Sequence, residues 1–223
     1  NEIAAALIRA AGGYIAAPSA NRSGRPSPTV AKYVIEDLDG RVEMIIDGGF
    51  SAIGLESTII DLSEGEPMIL RPGYVTQEKM TQVIGNVDVD RTILDASSKE
   101  APKAPGMKYR HYAPKGNLTI VEGPQEKVTA CINEKLSEGH KQGLKTGVIA
   151  TDETIEQYQA DVKRSLGSRK NEEAIAHHLF EVLRQMDDEE VQLIFTESFA
   201  ETGLGQATMN RLLKAAGHQV ISL

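Results

Sequence analysis

Tryptophan is absent, and the aromatic residues are 4% of the 223 positions. That leaves little for base stacking, which counts against a single-stranded nucleic-acid platform. The only cysteine, Cys131, has no partner within the chain and excludes a cysteine-built metal cage, so a reducing compartment is the natural reading. No apolar run approaches the roughly 18 residues of a membrane span, and no basic-then-apolar leader opens the sequence. A cytoplasmic, soluble protein without membrane contact is expected. No methionine precedes Asn1, so the sequence reads as a portion of a longer chain. What is present is ordinary: 40% hydrophobic and 25% charged residues, enough to bury one large core or two small ones.

Lys plus Arg number 24 against 32 for Asp plus Glu, a net charge of -8, which disfavours non-specific binding to nucleic acid or an anionic membrane. One segment goes against that trend. From Asp95 to Gly116 five basic residues (Lys99, Lys103, Lys108, Arg110, Lys115) face two acidic ones, giving +3 there and -11 elsewhere. Pro102, Pro105 and Pro114 disfavour helix, so the segment is expected to be extended. It reads either as a solvated linker or as a basic strap that reaches an anionic ligand.

After the linker, strand-like and helix-like patterns alternate. Leu118–Val121, Gly147–Ala150 and Val191–Phe195 read as buried strands. Val128, Cys131, Ile132 and Leu136 share one helical stripe, and Ile175, Leu179, Val182, Leu183 and Met186 share another. A last helix is expected over Gln206–Ala216. Such alternation implies crossover units and a small, open, largely parallel α/β domain. No GxGxxG follows its first strand, which weakens a dinucleotide site. Before the linker, Ile3–Ala11 reads as a helix, and Tyr14–Ala17, Val42–Ile46, Ser57–Leu62 and Met68–Leu70 as strands. That portion is an α+β sheet domain that looks incomplete.

The densest polar cluster runs from Pro18 to Thr29, where Ser19 and Asn21 emerge at a strand end and can meet a ligand. The same residue types also build ordinary turns and caps. Gly54-Leu-Glu-Ser-Thr58 offers Ser57 and Thr58 at a strand start. Arg71-Pro-Gly-Tyr74 offers an arginine able to hold phosphate bidentately. His177 and His178 lie in a helix and read as structural, no ligand set has zinc spacing, and no GxSxG elbow supports a hydrolase triad.

Together, Ala16-Ala-Pro-Ser-Ala-Asn-Arg-Ser-Gly24, Gly54-Leu-Glu-Ser-Thr-Ile-Ile-Asp61, Ile69-Leu-Arg-Pro-Gly73 and Pro105-Gly-Met-Lys-Tyr-Arg-His-Tyr-Ala-Pro114 resemble, in order, the Sua5/YrdC family. The linker motif and Gly203-Leu-Gly-Gln-Ala-Thr-Met-Asn-Arg211 resemble its two-domain Sua5 branch. The resemblance implies an α/β protein: a YrdC-like α+β twisted-sheet portion at 1–94, an extended linker at 95–116, and a small Rossmann-like α/β domain at 117–223. It implies threonylcarbamoyl-AMP synthase activity, a nucleotidyl transfer that makes threonylcarbamoyl-adenylate and pyrophosphate from L-threonine, bicarbonate and ATP for the t6A modification of tRNA. ATP is then a substrate, Mg²⁺ is expected with it, and t6A-transfer enzymes act downstream.

Residue by residue, the resemblance assigns Ser19 to threonine or nucleotide, Asn21 and Thr29 to nucleotide, Ser57 to threonine and Arg71 to ATP. Tyr109, Arg110, His111 and Tyr112 match a segment that closes over the site, the first three as ATP contacts. The family's Lys-x-Arg motif lies upstream of the Ser-x-Asn loop and is not in this sequence. No catalytic residue is therefore assigned, and the chain by itself is expected to be inactive, with uncovered sheet edges. A non-catalytic RNA-binding module is the alternative from another class, disfavoured by the acidic balance. Carbamoyl adenylation in hydrogenase maturation is the alternative enzyme, disfavoured by the Sua5-type linker.

Overall fold

A computed structural model describes residues 1–63, 65–90, 93, 112–200 and 202–223. The basic segment up to His111, with Tyr109 and Arg110, lies outside the described residues. The first portion carries α1 (Glu2–Ala10), α2 (Ala31–Leu38), β1 (Ile59–Asp61), β2 (Met68–Arg71), α3 (Gln77–Ile84) and β3 (Asp88–Val89). The second carries β4 (Asn117–Glu122), α4 (Gln125–Lys141), β5 (Thr146–Ala150), a short 3₁₀ turn (Ile155–Gln157) and β6 (Val162–Ser165). It continues with α5 (Glu172–Asp188), β7 (Leu193–Glu197), α6 (Gly203–Ala215) and β8 (Val220–Ser222).

The second portion is the expected open α/β domain. Its five strands pair in parallel in the order β6-β5-β7-β4-β8. Alternate residues along each strand face opposite layers. Val121, Val148, Ala150 and Phe195 pack with Val128, Ile132 and Leu136 of α4. Leu118, Ile120, Ile149 and Ile194 pack on the other side with Leu179 and Leu183 of α5 and Leu212 of α6. Covered on both faces, β5 is buried at every position, which is why it reads as an uninterrupted apolar run. The strand expected at Val191–Phe195 instead runs over Leu193–Glu197.

The first portion departs from its sequence pattern. A three-stranded sheet forms, β1 antiparallel to β2 with a register shift at Ile59/Ile60, and β2 parallel to β3. Tyr14–Ala17 and Val42–Ile46, expected as strands, form no ladder. A strand is stable only when a neighbour accepts its backbone bonds, and no described segment pairs its backbone with either of these two. Their side chains stay exposed, Tyr14 at 85% and Met44 at 77%.

What holds this portion in place is the helix α5 of the other. Arg184, with no exposed surface, donates through Nε and Nη2 to the Pro26 carbonyl at 2.9 and 2.6 Å, and through Nη2 to Asp37 of α2 at 2.6 Å. Asp37 also accepts the Arg22 amide at 3.1 Å and pairs closely with Arg25. Beside them Asp187, buried, accepts the Lys115 amide at 2.6 Å and faces Arg25 at 3.7 Å. At the rim Lys32 reaches Asp188 at 2.5 Å, joined by the Tyr33 hydroxyl at 3.2 Å. Burial pushes Asp187 above the usual carboxylate range despite the Lys115 amide and the nearby cations. At Asp37 burial pushes the same way, but the hydrogen bonds from Arg184 and Arg22 and the charges of Arg184 and Arg25 prevail and hold it below that range.

A carboxylate depressed in the folded state contributes stability above its unfolded value, near 4, and loses it as pH falls through the folded value. Removing one partner of a buried pair costs about 3–5 kcal/mol. Asp37→Asn is therefore expected to show its full deficit in urea unfolding at about pH 5–7, narrowing below about pH 4; a deficit independent of pH would contradict the buried pairing.

Candidate functional site

The Pro18–Thr29 loop is shaped by its own side chains. Asn21 Nδ2 donates to the carbonyls of Arg22 at 3.0 Å and Arg25 at 3.2 Å, closing the turn and turning Oδ1 the other way. That oxygen is buried with no hydrogen-bond partner among the described residues, and so is the Thr29 hydroxyl. Arg25 Nε is a third such atom on the same loop; buried polar atoms are normally satisfied by protein, water or ligand, and Thr29 is the one of the three residues that lines a cavity. The Thr29 carbonyl accepts the Ser51 amide at 2.8 Å, drawing the loop at 47–54, which holds Gly48, Gly49 and Gly54, alongside.

Between the two loops lies a cavity of about 400 Å³ lined by Ser19, Ser27, Thr29, Ser51 and Glu56, with Phe180 of α5 as one wall. Thr29 also lines a neighbouring cavity of about 340 Å³ whose apolar side includes Val34, Val42 and Ile46. These volumes suit small-molecule ligands.

Glu56 is the hub of the far wall. It accepts from the Ser27 hydroxyl at 2.8 Å and from Nε of Arg211, which comes from α6, at 2.9 Å. Arg211 has no exposed surface; Nη1 donates to the Pro72 carbonyl at 2.7 Å and Nη2 has no partner among the described residues. Arg71 donates from Nε and Nη2 to the Ser57 carbonyl at 3.0 and 2.9 Å, with the Ser57 hydroxyl 3.3 Å from Nη2. Burial, then the adjacent Arg211, lowers the Arg71 pKa, opposed by Glu56 and Tyr112. Tyr112 of the strap motif is buried, with its ring 5.1 Å from that of Phe180. Burial and Glu56 push its phenol up, against Arg211 and Arg71. The next residue, Ala113, donates its amide to the Gly24 carbonyl, so the strap's end is tied to the Ser19–Thr29 loop.

Of the residues singled out from sequence, Ser19 and Thr29 thus share one cavity and Asn21 sits in the same loop. Ser57 and Arg71 pair with each other beside Glu56, and Ser57 does not line the cavity. Tyr109, Arg110 and His111 lie outside the described residues. His177 and His178 each meet a backbone carbonyl, of Ala52 at 2.9 Å and Leu166 at 3.2 Å. Sequence reasoning missed Ser27, Glu56, Arg184 and Arg211 as individual residues. Glu56 and Arg211 stood inside recognised motifs, whereas nothing in the local pattern marks Arg184.

A family model described as "Threonylcarbamoyl-AMP synthase, C-terminal domain" matches residues 75–217, and one described as "Telomere recombination" matches residues 1–73. A threonylcarbamoyl-AMP synthase of Bacillus subtilis is 47% identical over 219 residues, covering 98% of this chain and 62% of the relative. That of Pyrococcus abyssi is 46% identical, covering 100% and 64%. The crystal structure of P. abyssi Sua5 complexed with L-threonine superposes with a TM-score of 0.89 at 46% identity, over 100% of this chain and 64% of that one. The chain therefore spans somewhat under two thirds of the length of these relatives.

Gly54, on the cavity wall, has φ +79, and a Cβ there would lie 2.4 Å from the His177 carbonyl oxygen of α5. Overpacking costs about 1–3 kcal/mol and a left-handed non-glycine residue about 1–2 kcal/mol. Gly54→Ala is expected to destabilise by roughly that sum in denaturant unfolding; a loss under about 0.5 kcal/mol, the range of ordinary surface changes, would contradict the close approach.

Proposed function

Because this chain belongs to the Sua5 family of threonylcarbamoyl-AMP synthase domains, we propose that it makes threonylcarbamoyl-adenylate from L-threonine, bicarbonate and ATP, releasing pyrophosphate. The observation that carries this reading is the Ser19–Thr29 loop. It presents three buried polar atoms without partners among the described residues, Asn21 Oδ1, Arg25 Nε and the Thr29 hydroxyl, and Ser19 and Thr29 line a cavity of small-molecule size. That the P. abyssi relative was crystallised with L-threonine supports threonine as the occupant.

In the proposed reaction the threonine amine combines with bicarbonate to give a carbamate and water. A carbamate oxygen then forms a bond to the α-phosphorus of ATP as the bond to the β-phosphate bridging oxygen breaks, and pyrophosphate leaves with that electron pair. Such transfers are accelerated by positioning and by neutralising charge on phosphate oxygens. Arg71 supplies a cation beside Ser57, which would meet threonine, while Asn21 and Thr29 would meet the nucleotide. The basic strap, with Tyr109, Arg110 and His111, would close over the site and keep water from the labile carbamate. Mg²⁺ would come with the nucleotide phosphates and supply neutralisation of their charge, its usual mode with few protein carboxylates. The product would pass to t6A-transfer enzymes. Among the described residues no helix is long and apolar enough to cross a membrane, and a cytoplasmic site of action is part of the proposal.

Pyrophosphate release by the full-length protein is expected to require both L-threonine and bicarbonate. Removing one electrostatic donor costs about 10²–10³ in rate, so Arg71→Ala is expected to fall in that range. Pyrophosphate release indifferent to threonine would sink the reading.

A further inference from the structure

The cavity's loops are gripped from the other domain, and the grip is not what stability alone would select. Arg184 is fully buried, as is its partner Asp37 in α2. Burying an ion pair costs desolvation that its attraction often fails to recover, so a well-packed apolar pair would serve stability as well or better. What an apolar pair could not do is reach a backbone carbonyl. Arg184 spends Nε and Nη2 on the Pro26 carbonyl, inside the Ser19–Thr29 loop, and aligns Asp37 to take the Arg22 amide of the same loop. The planar fork thus fixes two backbone points of the loop, one on each side of Arg25, which itself pairs with Asp37. Asn21 lies one residue from the first point, and Thr29 three residues from the second.

We propose, resting on the synthase reading above, that Arg184 is a positioning residue for the substrate loop: acting through Asp37 and the Pro26 carbonyl, it sets the Ser19–Thr29 segment in its ligand-ready geometry. It touches no substrate. The α/β domain thereby takes part in catalysis by aligning a loop of the other domain. Lysine cannot substitute, since a point donor on a flexible stem cannot hold a carbonyl and a carboxylate in one plane.

The test uses full-length protein carrying Arg184→Lys, with Arg184→Met/Asp37→Leu as a second variant, each beside the unsubstituted protein. Three quantities are read: melting temperature, hydrogen exchange at residues 22–29, and kcat and KM for L-threonine. Arg184→Lys is expected to melt within a few degrees of the parent, to exchange faster at residues 22–29 but not in β5, and to raise KM for threonine by about tenfold or more with a smaller change in kcat, as loss of ground-state alignment should. The apolar pair strips the Pro26 carbonyl and the Arg22 amide of their partners, so it is expected to melt no higher than the parent while the loop and KM defects persist. A purely structural arginine would instead lower the melting temperature of Arg184→Lys and leave KM for threonine at the parent's value in the apolar pair. That result, or unchanged exchange and KM in Arg184→Lys, or faster exchange without a KM change, would overturn the proposal. If the unsubstituted protein shows no threonine-dependent activity, the functional reading fails by itself, and the exchange data still decide whether Arg184 holds the loop.

Discussion

Arg184 and Arg211 have no exposed surface, and each carries a positive charge from a helix of the α/β domain into the loops of its neighbour. A guanidinium taken out of water is costly unless its donors find acceptors, and here every guanidinium nitrogen except Nη2 of Arg211 finds one among the described residues. The acceptors here are the Pro26 and Pro72 carbonyls and the carboxylates of Asp37 and Glu56. Each arginine therefore imposes a backbone position as well as a charge partner. From those two requirements follow the course of the Ser19–Thr29 loop, the placement of Gly54–Thr58, and the turn at Pro72-Gly73.

Close backbone approaches complete the arrangement. Gly54 lies on the backbone of α5, and a Cβ on Gly73 would stand 2.5 Å from the Thr58 amide nitrogen. Arg71, bonded twice to the Ser57 carbonyl, holds the same strand start from the other side. The strap enters this packed corner through Tyr112 and leaves it where Asp187 takes the Lys115 amide. Its basic composition suggested long-range attraction to an anion, and its described end is fixed by a buried aromatic ring and a backbone bond.

The α/β domain was legible because its signals are local. A buried parallel strand such as β5 reads as a continuous apolar run, and α5 carries its stripe in plain view. The first portion was less so, because Tyr14–Ala17 and Val42–Ile46 have strand composition, while a strand needs a partner that composition cannot supply. For the site, Ser19, Asn21 and Thr29 stood out through loop chemistry and family likeness. Arg184 did not, because an arginine beside the apolar stripe of α5 looks like any solvated helix residue. Only the fold brings it to Asp37, 147 positions away in sequence.

The Arg184–Asp37 grip is expected to hold a loop with the composition of a mobile turn as rigidly as the helix it comes from. The most direct measurement is native-state hydrogen exchange of the unsubstituted protein at the Arg22 amide, which donates to Asp37. That amide is expected to open only with the buried cluster, its protection approaching that of the α5 amides around Arg184 and far exceeding that of surface-loop amides such as Gly40. Exchange of the Arg22 amide near the rate of an unstructured peptide would contradict it.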